Sequence, residues 1–343
     1  MLQLLAERFP EADFLTGVAD RSILGPCTLT IRPLSREVEL DEVAAWLEEQ
    51  PGVDVVAPKK SDMHVRLDLD VLRAWLAEGW QEALAPPEGA PQPVTVAVPV
   101  DAAPRSLDRC RKVVIGRSVV ALLEQQGHEV EVTASDDEDV WLWNPEAEAG
   151  PLRVDVAEVD VKHDRMRARH GGIVTLQNLR DDVREDAIAL EGRKRDDAYA
   201  DALVSYLMTH VRRKRRLGTD NEKVGRKLEE LDEILSARDL AQEKRGEGSG
   251  GEAGGAAEVS EQADTTIRAL IAQVEMAADV TAGAARSHDP APVNRLLRSL
   301  GEEIGAVEGL PAGDPLWAAA AEALENALRV VAPGLDHAQK SAA

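Results

Sequence analysis

The sequence predicts three consecutive parts: a small α+β domain, a short α/β segment and a long all-helical part. Strand-like alternation is mixed with helical spacings before residue 90, and from about Asp181 onward the pattern is almost wholly helical. The stretch APPEGAPQP, residues 85 to 93, separates the first two parts because proline and glycine do not continue a helix. We therefore assign domains to residues 1–90, 91–180 and 181–343.

The first domain is predicted from two kinds of apolar spacing. The segments CTLTIRPL and MHVRLDL alternate with a period of two, which is typical of half-exposed strands. The segments LDEVAAWLEEQ and LDVLRAWLAEGWQEAL carry apolar residues three and four positions apart, which is typical of amphipathic helices.

The second domain begins with a strand-to-helix corner. The strand VTVAVPV precedes RCRKVVIGRSVVALLEQQGHEV, residues 109–130, which predicts a helix that stops at a glycine before the next strand. Such corners commonly hold a nucleotide, but neither the G-x-G-x-x-G nor the P-loop pattern is present, and Gly116 fits close packing inside the helix equally well. DVWLWN, LRVDVAEVDV and GIVTLQNL predict further strands, with Thr175 as a helix N-cap.

The third domain contains the clearest helix, DPLWAAAAEALENALRVVAPGL. Asp314 is predicted to cap it and Pro315 to occupy its first position, and Pro333 and Gly334 close it. The residues expected to face a core are Leu316, Ala320, Leu324, Ala327 and Val331. Residues 246–264, GEGSGGEAGGAAEVSEQAD, predict a flexible loop because they carry too little apolar surface to order themselves.

Composition limits the classes of function. The chain has 343 residues and a formal charge of -23, and no segment approaches the ~18 apolar residues of a membrane span. The first ten residues, MLQLLAERFP, lack the regions of a signal peptide, so we expect a cytoplasmic protein without a membrane partner. Cys27 and Cys110 lie far apart without metal-ligand or disulfide spacing, so no metal site is predicted.

The charge is segregated along the chain. Residues 162–227 contain 17 Lys and Arg against 11 Asp and Glu, whereas residues 264–343 contain 6 against 11, a poor surface for an RNA stem. HVRRKRRLG, residues 210–218, is predicted to continue the helix of YADALVSYLMT. Its five cations are Arg212, Arg213, Lys214, Arg215 and Arg216. They are candidates for contact with RNA phosphates, or they favour a helix C-terminus and pair with neighbouring acids; both interpretations remain open.

The order of these segments resembles the arginyl-tRNA synthetases, which are class I enzymes. The resemblance runs from VTVAVPVDAAP through RCRKVVIGRSVVALLEQQGHEVE and MRARHGGIVTLQNL to ALENALRVVAPGL. It implies an N-terminal additional domain of the kind that contacts the tRNA elbow, a reduced class I Rossmann-like nucleotide-binding remnant, and an all-helical DALR anticodon-binding domain. tRNA is then a candidate partner.

The same resemblance implies that the first catalytic signature is lost. The family's His-x-Gly-His motif, which holds ATP phosphates, aligns with Ser106, Leu107, Asp108 and Arg109. A hydroxyl and a guanidinium replace the two imidazoles, and Asp108 brings a negative charge to the place of the phosphates. We therefore assign no catalytic residue and no cofactor, and ATP would bind only if a residual activity exists.

The second signature, the KMSKS-type loop, aligns with MRARHGG. Its degenerate positions are Met166, Arg167 and Arg169, which fit weak phosphate binding or a basic surface turn. Met166 lies only 49 positions after Arg117, and this interval is too short for the rest of a catalytic sheet and an arginine pocket.

Three functions follow as expectations. The first is a synthetase-like protein, inactive in aminoacylation, that binds tRNA or a related RNA and acts in translation or a tRNA-dependent pathway. The second is a protein-interaction module that pairs with a synthetase through its acidic helical domain. The third is a residual, ATP-dependent arginine–tRNA ligase.

Overall fold

The computed structural model describes residues 5, 8–9, 14–18, 28–34, 39–59, 62–85, 91–99, 106–135, 139–147, 150–161, 178, 197–219, 221–247 and 260–332. The chain forms two compact units, each made of three stretches of sequence. The first unit takes residues 1–83, 241–275 and 306–320, and the second takes residues 84–240, 276–305 and 321–343.

An antiparallel sheet of four strands, ordered β1–β2–β4–β3, organises the first unit. The strands are β1 (Phe14–Val18), β2 (Thr28–Pro33), β3 (Val53–Lys59) and β4 (Asp62–Leu67). Helix α1 (Leu40–Glu48) lies between β2 and β3 in the chain, and α2 (Leu69–Leu84) follows β4. Both predicted strands and both predicted helices of the first domain are confirmed.

The core of the first unit lies between the sheet and α1. Ile31 and Met63 point inward from neighbouring strands and are fully buried, as is Leu47 of α1. The ring of Phe9 meets Trp46 edge to face, with the ring centroids 5.8 Å apart. This apolar layer stabilises the sheet, because a sheet needs an apolar face that is buried against another layer.

A second sheet of four strands, ordered β6–β5–β7–β8, organises the second unit. The strands are β5 (Pro93–Pro99), β6 (Glu129–Ser135), β7 (Val140–Trp143) and β8 (Leu152–Val154). Strand β6 runs parallel to β5, whereas β7 and β8 are antiparallel to their neighbours. Helix α3 (Leu107–Gln125) makes the crossover that two parallel strands require.

Helix α3 packs closely on the sheet. Its Val113, Ile115 and Val119 are buried together with Val96 of β5. A Cβ atom on Gly116 would lie 3.0 Å from both γ carbons of Val98, so the packing explanation for this glycine is confirmed.

The remaining elements are one small sheet and five helices within the described residues. Strands β9 (Val159–Val161) and β10 (Leu217–Thr219) pair in parallel. The helices are α4 (Asp197–Thr209), α5 (Asn221–Glu247), α6 (Glu261–Ser287), α7 (Ala291–Ala306) and α8 (Pro315–Val331). Across the described ranges, no helix is both long and apolar enough to cross a membrane.

The start of α8 agrees with the prediction. Asp314 Oδ1 accepts a hydrogen bond from the backbone N–H of Leu316 at 2.9 Å, as an N-cap should. All residues of the predicted core face are buried, namely Leu316, Ala320, Leu324, Ala327 and Val331. Pro333 and Gly334 lie outside the described residues.

Four predictions need correction or refinement, or lie partly outside the described residues. The expected helix through 210–216 is wrong, because α4 ends at Thr209 and the chain turns before β10. The segment LRVDVAEVDV, predicted as strand, contains two short strands, β8 and β9. The predicted loop 246–264 is helical at both ends, and its residues 248–259 lie outside the described residues. The predicted strand GIVTLQNL also lies outside the described residues, apart from Asn178.

Candidate nucleic-acid interface

The corner before α3, residues 106–109, is occupied by structural interactions. Ser106 caps the helix, with its Oγ 3.3 Å from the backbone N–H of Arg109 that donates to it. Leu107 is 3% exposed and belongs to the core. Two of the four positions aligned with the first catalytic signature therefore build the helix start.

Asp108 ties the corner to the small parallel sheet. Its Oδ1 accepts a hydrogen bond from the backbone N–H of Val159, the first residue of β9, at 2.5 Å. A carboxylate that binds a backbone amide in this way has one oxygen fewer for a ligand, and its charge opposes a phosphate. The residues aligned with the second signature, Met166, Arg167 and Arg169, lie outside the described residues.

The basic run forms a turn between α4 and β10, which we call the basic turn (residues 211–216). Backbone hydrogen bonds close it, from Arg215 N–H to the Arg212 carbonyl at 2.9 Å and from Ala157 N–H to the Arg213 carbonyl at 2.7 Å. The cations therefore stand on a compact irregular segment beside β9 rather than around a helix.

A buried arginine from α3 holds the basic turn. Arg111 is 0% exposed, and its guanidinium donates to backbone carbonyls on both sides of the turn. The acceptors are Ala157 (2.8 Å), Glu158 (3.4 Å), Val211 (3.3 Å), Arg212 (3.2 Å) and Arg215 (2.8 Å). Three of these carbonyls belong to the basic turn itself.

Arg111 remains a cation at neutral pH despite its burial. Removal from water lowers the pKa of Arg111 to about 10, and the negative charges of Asp289 and Asp108 act against that shift. A guanidinium cannot accept hydrogen bonds and carries five donors in a planar fork, which suits a ring of carbonyls. Its charge also faces carbonyls just beyond the C-terminus of α4, where positive charge is favourable.

Arg213 is the one cation of the basic turn that bends inward. Its Nη1 donates to the Asp155 carbonyl at 2.8 Å, and its Nε and Nη2 donate to the Ser287 carbonyl at 3.3 and 3.2 Å. Its backbone N–H donates to Asp289 Oδ1 at 3.3 Å. Arg213 therefore anchors the turn to the loop between α6 and α7.

The other four cations of the run point outward. Arg216 is exposed and pairs with the equally exposed Glu158 at 3.4 Å. Within the described part of the chain, the exposed side chains of Arg212, Lys214 and Arg215 form no ion pair or hydrogen bond. The structure thus concentrates three exposed positive charges on one short, fixed segment, and none of them has a carboxylate partner among the described residues.

The end of α4 beneath the turn is also fixed. The buried side chain of Asn294 on α7 donates to the Tyr206 carbonyl at 3.0 Å and to Thr209 Oγ1 at 2.9 Å. These bonds satisfy carbonyl and hydroxyl groups that a helix end leaves open. The basic turn thus starts from a well-anchored helix.

The second unit also carries an acidic groove between α5 and α7, with a volume of about 670 Å³. Its rim carries the carboxylates of Glu229, Asp232, Glu233 and Glu302. Ala237 and Leu240 give it an apolar floor. These carboxylates give the groove a negative electrostatic potential. The described residues contain no group of His, Cys, Asp and Glu that could hold a metal ion.

Sequence reasoning found the exposed cations but missed Arg111 and its role. Arg111 lies in RCRKVV, a segment of α3 that reads as an ordinary charged helix face. The residues it binds lie 46 to 104 positions away, and no sequence signal connects them.

Comparison with known proteins supports the fold. No protein-family model matches the sequence, and no curated protein matches it. Ten chains of solved structures match, among them the arginyl-tRNA synthetase of Thermus thermophilus, with a TM-score of 0.53 and 11% identity over 98% of this chain and 97% of that chain. At this identity the likeness shows the fold alone, which is arginyl-tRNA synthetase-like.

Proposed function

We propose that this synthetase-like protein binds tRNA or a related RNA through the basic turn and does not catalyse aminoacylation. The observation that carries the proposal is the set of cations Arg212, Lys214, Arg215 and Arg216, which a buried guanidinium holds on one exposed turn. Lys and Arg side chains supply most of the affinity of proteins for phosphate backbones. The solved protein that shares the fold is named for its action on tRNA, which makes tRNA the first RNA to test.

The absence of aminoacylation is proposed from the corner. Ser106 caps α3, Leu107 is buried and Asp108 holds β9, so these positions serve the fold. Gly116 and Val98 meet so closely that the helix leaves no space against the strand at that level. Arginine-dependent exchange of pyrophosphate into ATP tests this half of the proposal, and a clear exchange signal contradicts it.

The binding half is tested by titration of the protein with tRNA at two salt concentrations. We expect the logarithm of the affinity to fall with the logarithm of the salt concentration, with a slope of about -0.7 to -0.9 per phosphate contacted. The variant Lys214→Gln/Arg215→Gln should then make the slope less steep, by the amount that corresponds to about two phosphate contacts. Absence of binding even at low salt contradicts the proposal.

A matched control distinguishes local contact from net charge. Arg153 and Arg298 are exposed and already paired with carboxylates on the same unit, Arg153 with Asp139 and Arg298 with Glu302. The variant Arg153→Gln/Arg298→Gln removes the same two charges outside the basic turn. It should leave the slope unchanged, and an equal loss in both variants would assign the effect to overall charge.

A second candidate function is a protein-interaction module, and the acidic groove between α5 and α7 favours it. A basic helical segment of a synthetase or of another protein matches its carboxylate rim and apolar floor. Co-purification from cells, with and without RNase, separates the two functions. A partner that remains after RNase, and is lost in Glu229→Gln/Glu233→Gln, supports the interaction module.

A further inference from the structure

We infer that Arg111 and Arg213 are positioning residues of the basic turn, which hold it in the conformation that presents its other cations to RNA. The inference rests on the proposed RNA binding of that turn. It separates the arginines in and under the turn into two groups: two that bind the protein's own carbonyls, and three (Arg212, Arg215 and Arg216) that face outward with Lys214.

The direction of the carbonyls determines the direction of the side chains. The carbonyls of Val211, Arg212 and Arg215 all converge on the guanidinium of Arg111. Arg212 and Arg215 are themselves exposed, so their carbonyls lie inside while their side chains lie in water. One buried cation thus organises the backbone of its exposed neighbours.

The turn needs such a hold because its own charges oppose it. Residues 212–216 carry five consecutive positive side chains, and like charges at this spacing favour an extended chain. The contacts of Arg111 with the turn, and those of Arg213 with Asp155 and Ser287, oppose that extension. A turn that is already ordered loses less conformational entropy when RNA binds.

Limited digestion with trypsin tests the hold directly, because trypsin cleaves after Lys and Arg in segments that can open. The basic turn offers five such bonds, and we expect the native protein to be cut there slowly. In Arg111→Met, cleavage after residues 212–216 should rise by about tenfold relative to cleavage elsewhere in the same digest. Mass spectrometry of the fragments locates each cut.

Salt dependence of tRNA binding tests the link to RNA. If Arg111 only stabilised the fold, its loss would lower the fraction of active protein and leave the salt slope unchanged. If Arg111 positions the turn, its loss removes several phosphate contacts together. The magnitude of the slope should then decrease by more than the ~0.7 to 0.9 that one contact contributes. Arg213→Gln should behave like Arg111→Met in the protease assay, in contrast to Lys214→Gln.

Two further variants keep the test decisive if Arg111→Met does not fold. Arg111→Lys retains the charge with fewer donors, and Arg213→Gln removes the second anchor at a half-buried position. Unchanged protease resistance of the turn in these folded variants overturns the inference. A different result is that the turn opens in these variants but the native protein binds no tRNA. This result overturns the role in RNA binding and the proposed function, and it upholds the role of the two arginines in holding the turn.

Discussion

The corner at residues 106–109 and the basic turn at residues 211–216 use polar side chains in opposite ways. At the corner, the side chains of Ser106 and Asp108 bind backbone amides of the protein itself. At the turn, the backbone carbonyls are bound from below by Arg111, and the side chains of Arg212, Lys214 and Arg215 stay exposed. The comparison separates a region that serves the fold from one that is available to a ligand.

The two regions should therefore respond differently to substitution, one through stability and the other through binding. Variants at the corner should lower the free energy of unfolding and leave the salt slope of the proposed tRNA binding unchanged. Variants of the outward cations should change the slope and leave stability intact. A corner variant that alters tRNA or ATP binding without altering stability would contradict the conclusion that the corner serves only the fold.

The largest expected effect is that of Asp108→Ala. The substitution removes a 2.5 Å hydrogen bond from the Val159 N–H and one of the negative charges near Arg111. We expect the free energy of unfolding to fall by about 2 to 3 kcal/mol, as for other hydrogen bonds to charged groups. Urea denaturation followed by circular dichroism measures it, and an unchanged midpoint contradicts the structural role of this carboxylate.

Gly116→Ala should have the next largest effect. The added methyl group would lie 3.0 Å from two carbons of Val98, which forces the helix or the strand to move. Overpacking of this kind lowers the free energy of unfolding by about 1 to 3 kcal/mol. Thermal denaturation provides the measurement.

Gly225→Ala is the matched control. Gly225 lies exposed in α5, and a Cβ there would meet nothing within 4 Å. This change should stabilise the protein by about 0.5 to 1 kcal/mol, because alanine favours a helix more than glycine does. Equal effects of the two alanines would show that α3 is not tightly packed against β5 at Gly116.

Ser106→Ala should have a smaller effect than Asp108→Ala or Gly116→Ala. The hydroxyl accepts one hydrogen bond, of 3.3 Å, at the start of α3. Loss of an N-cap costs about 1 kcal/mol, and Ser106→Asp should restore most of it. Failure of aspartate to restore stability would show that Ser106 acts by some means other than capping.

Local sequence signals predicted some of these elements correctly, whereas features that depend on distant residues could not be predicted. Periodicity predicted α2 from Leu69 to Leu84, and the Asp-Pro pair predicted the start of α8, because both signals are local. The helix expected through 210–216 was wrong because Arg111, about a hundred positions earlier, binds the carbonyls that a helix would use. Composition indicated the positive charge of the run but not the direction of its side chains, and the inward direction of Arg213 depends on Asp155 and Ser287.

The smallest effect concerns acidification near the basic turn. Burial lowers the pKa of His210 below its usual 6.5, and this outweighs the hydrogen bond to the Leu207 carbonyl, which acts in the other direction. Burial also lowers the pKa of His288, assisted by the charge of Arg213. Both imidazoles are therefore kept neutral by the fold.

A histidine whose folded pKa is lowered binds protons more readily in the unfolded chain. Its contribution to stability is complete above about pH 6.5 and is lost as the pH falls through the folded pKa. We expect the urea midpoint to decrease between pH 7 and pH 5, and His210→Gln should reduce that decrease. The difference between native protein and variant isolates His210 from the carboxyl groups, since these titrate in both. A larger decrease in His210→Gln would mean that the charged imidazole is favoured at this helix end, and that the region below the basic turn is more open to water than its packing indicates.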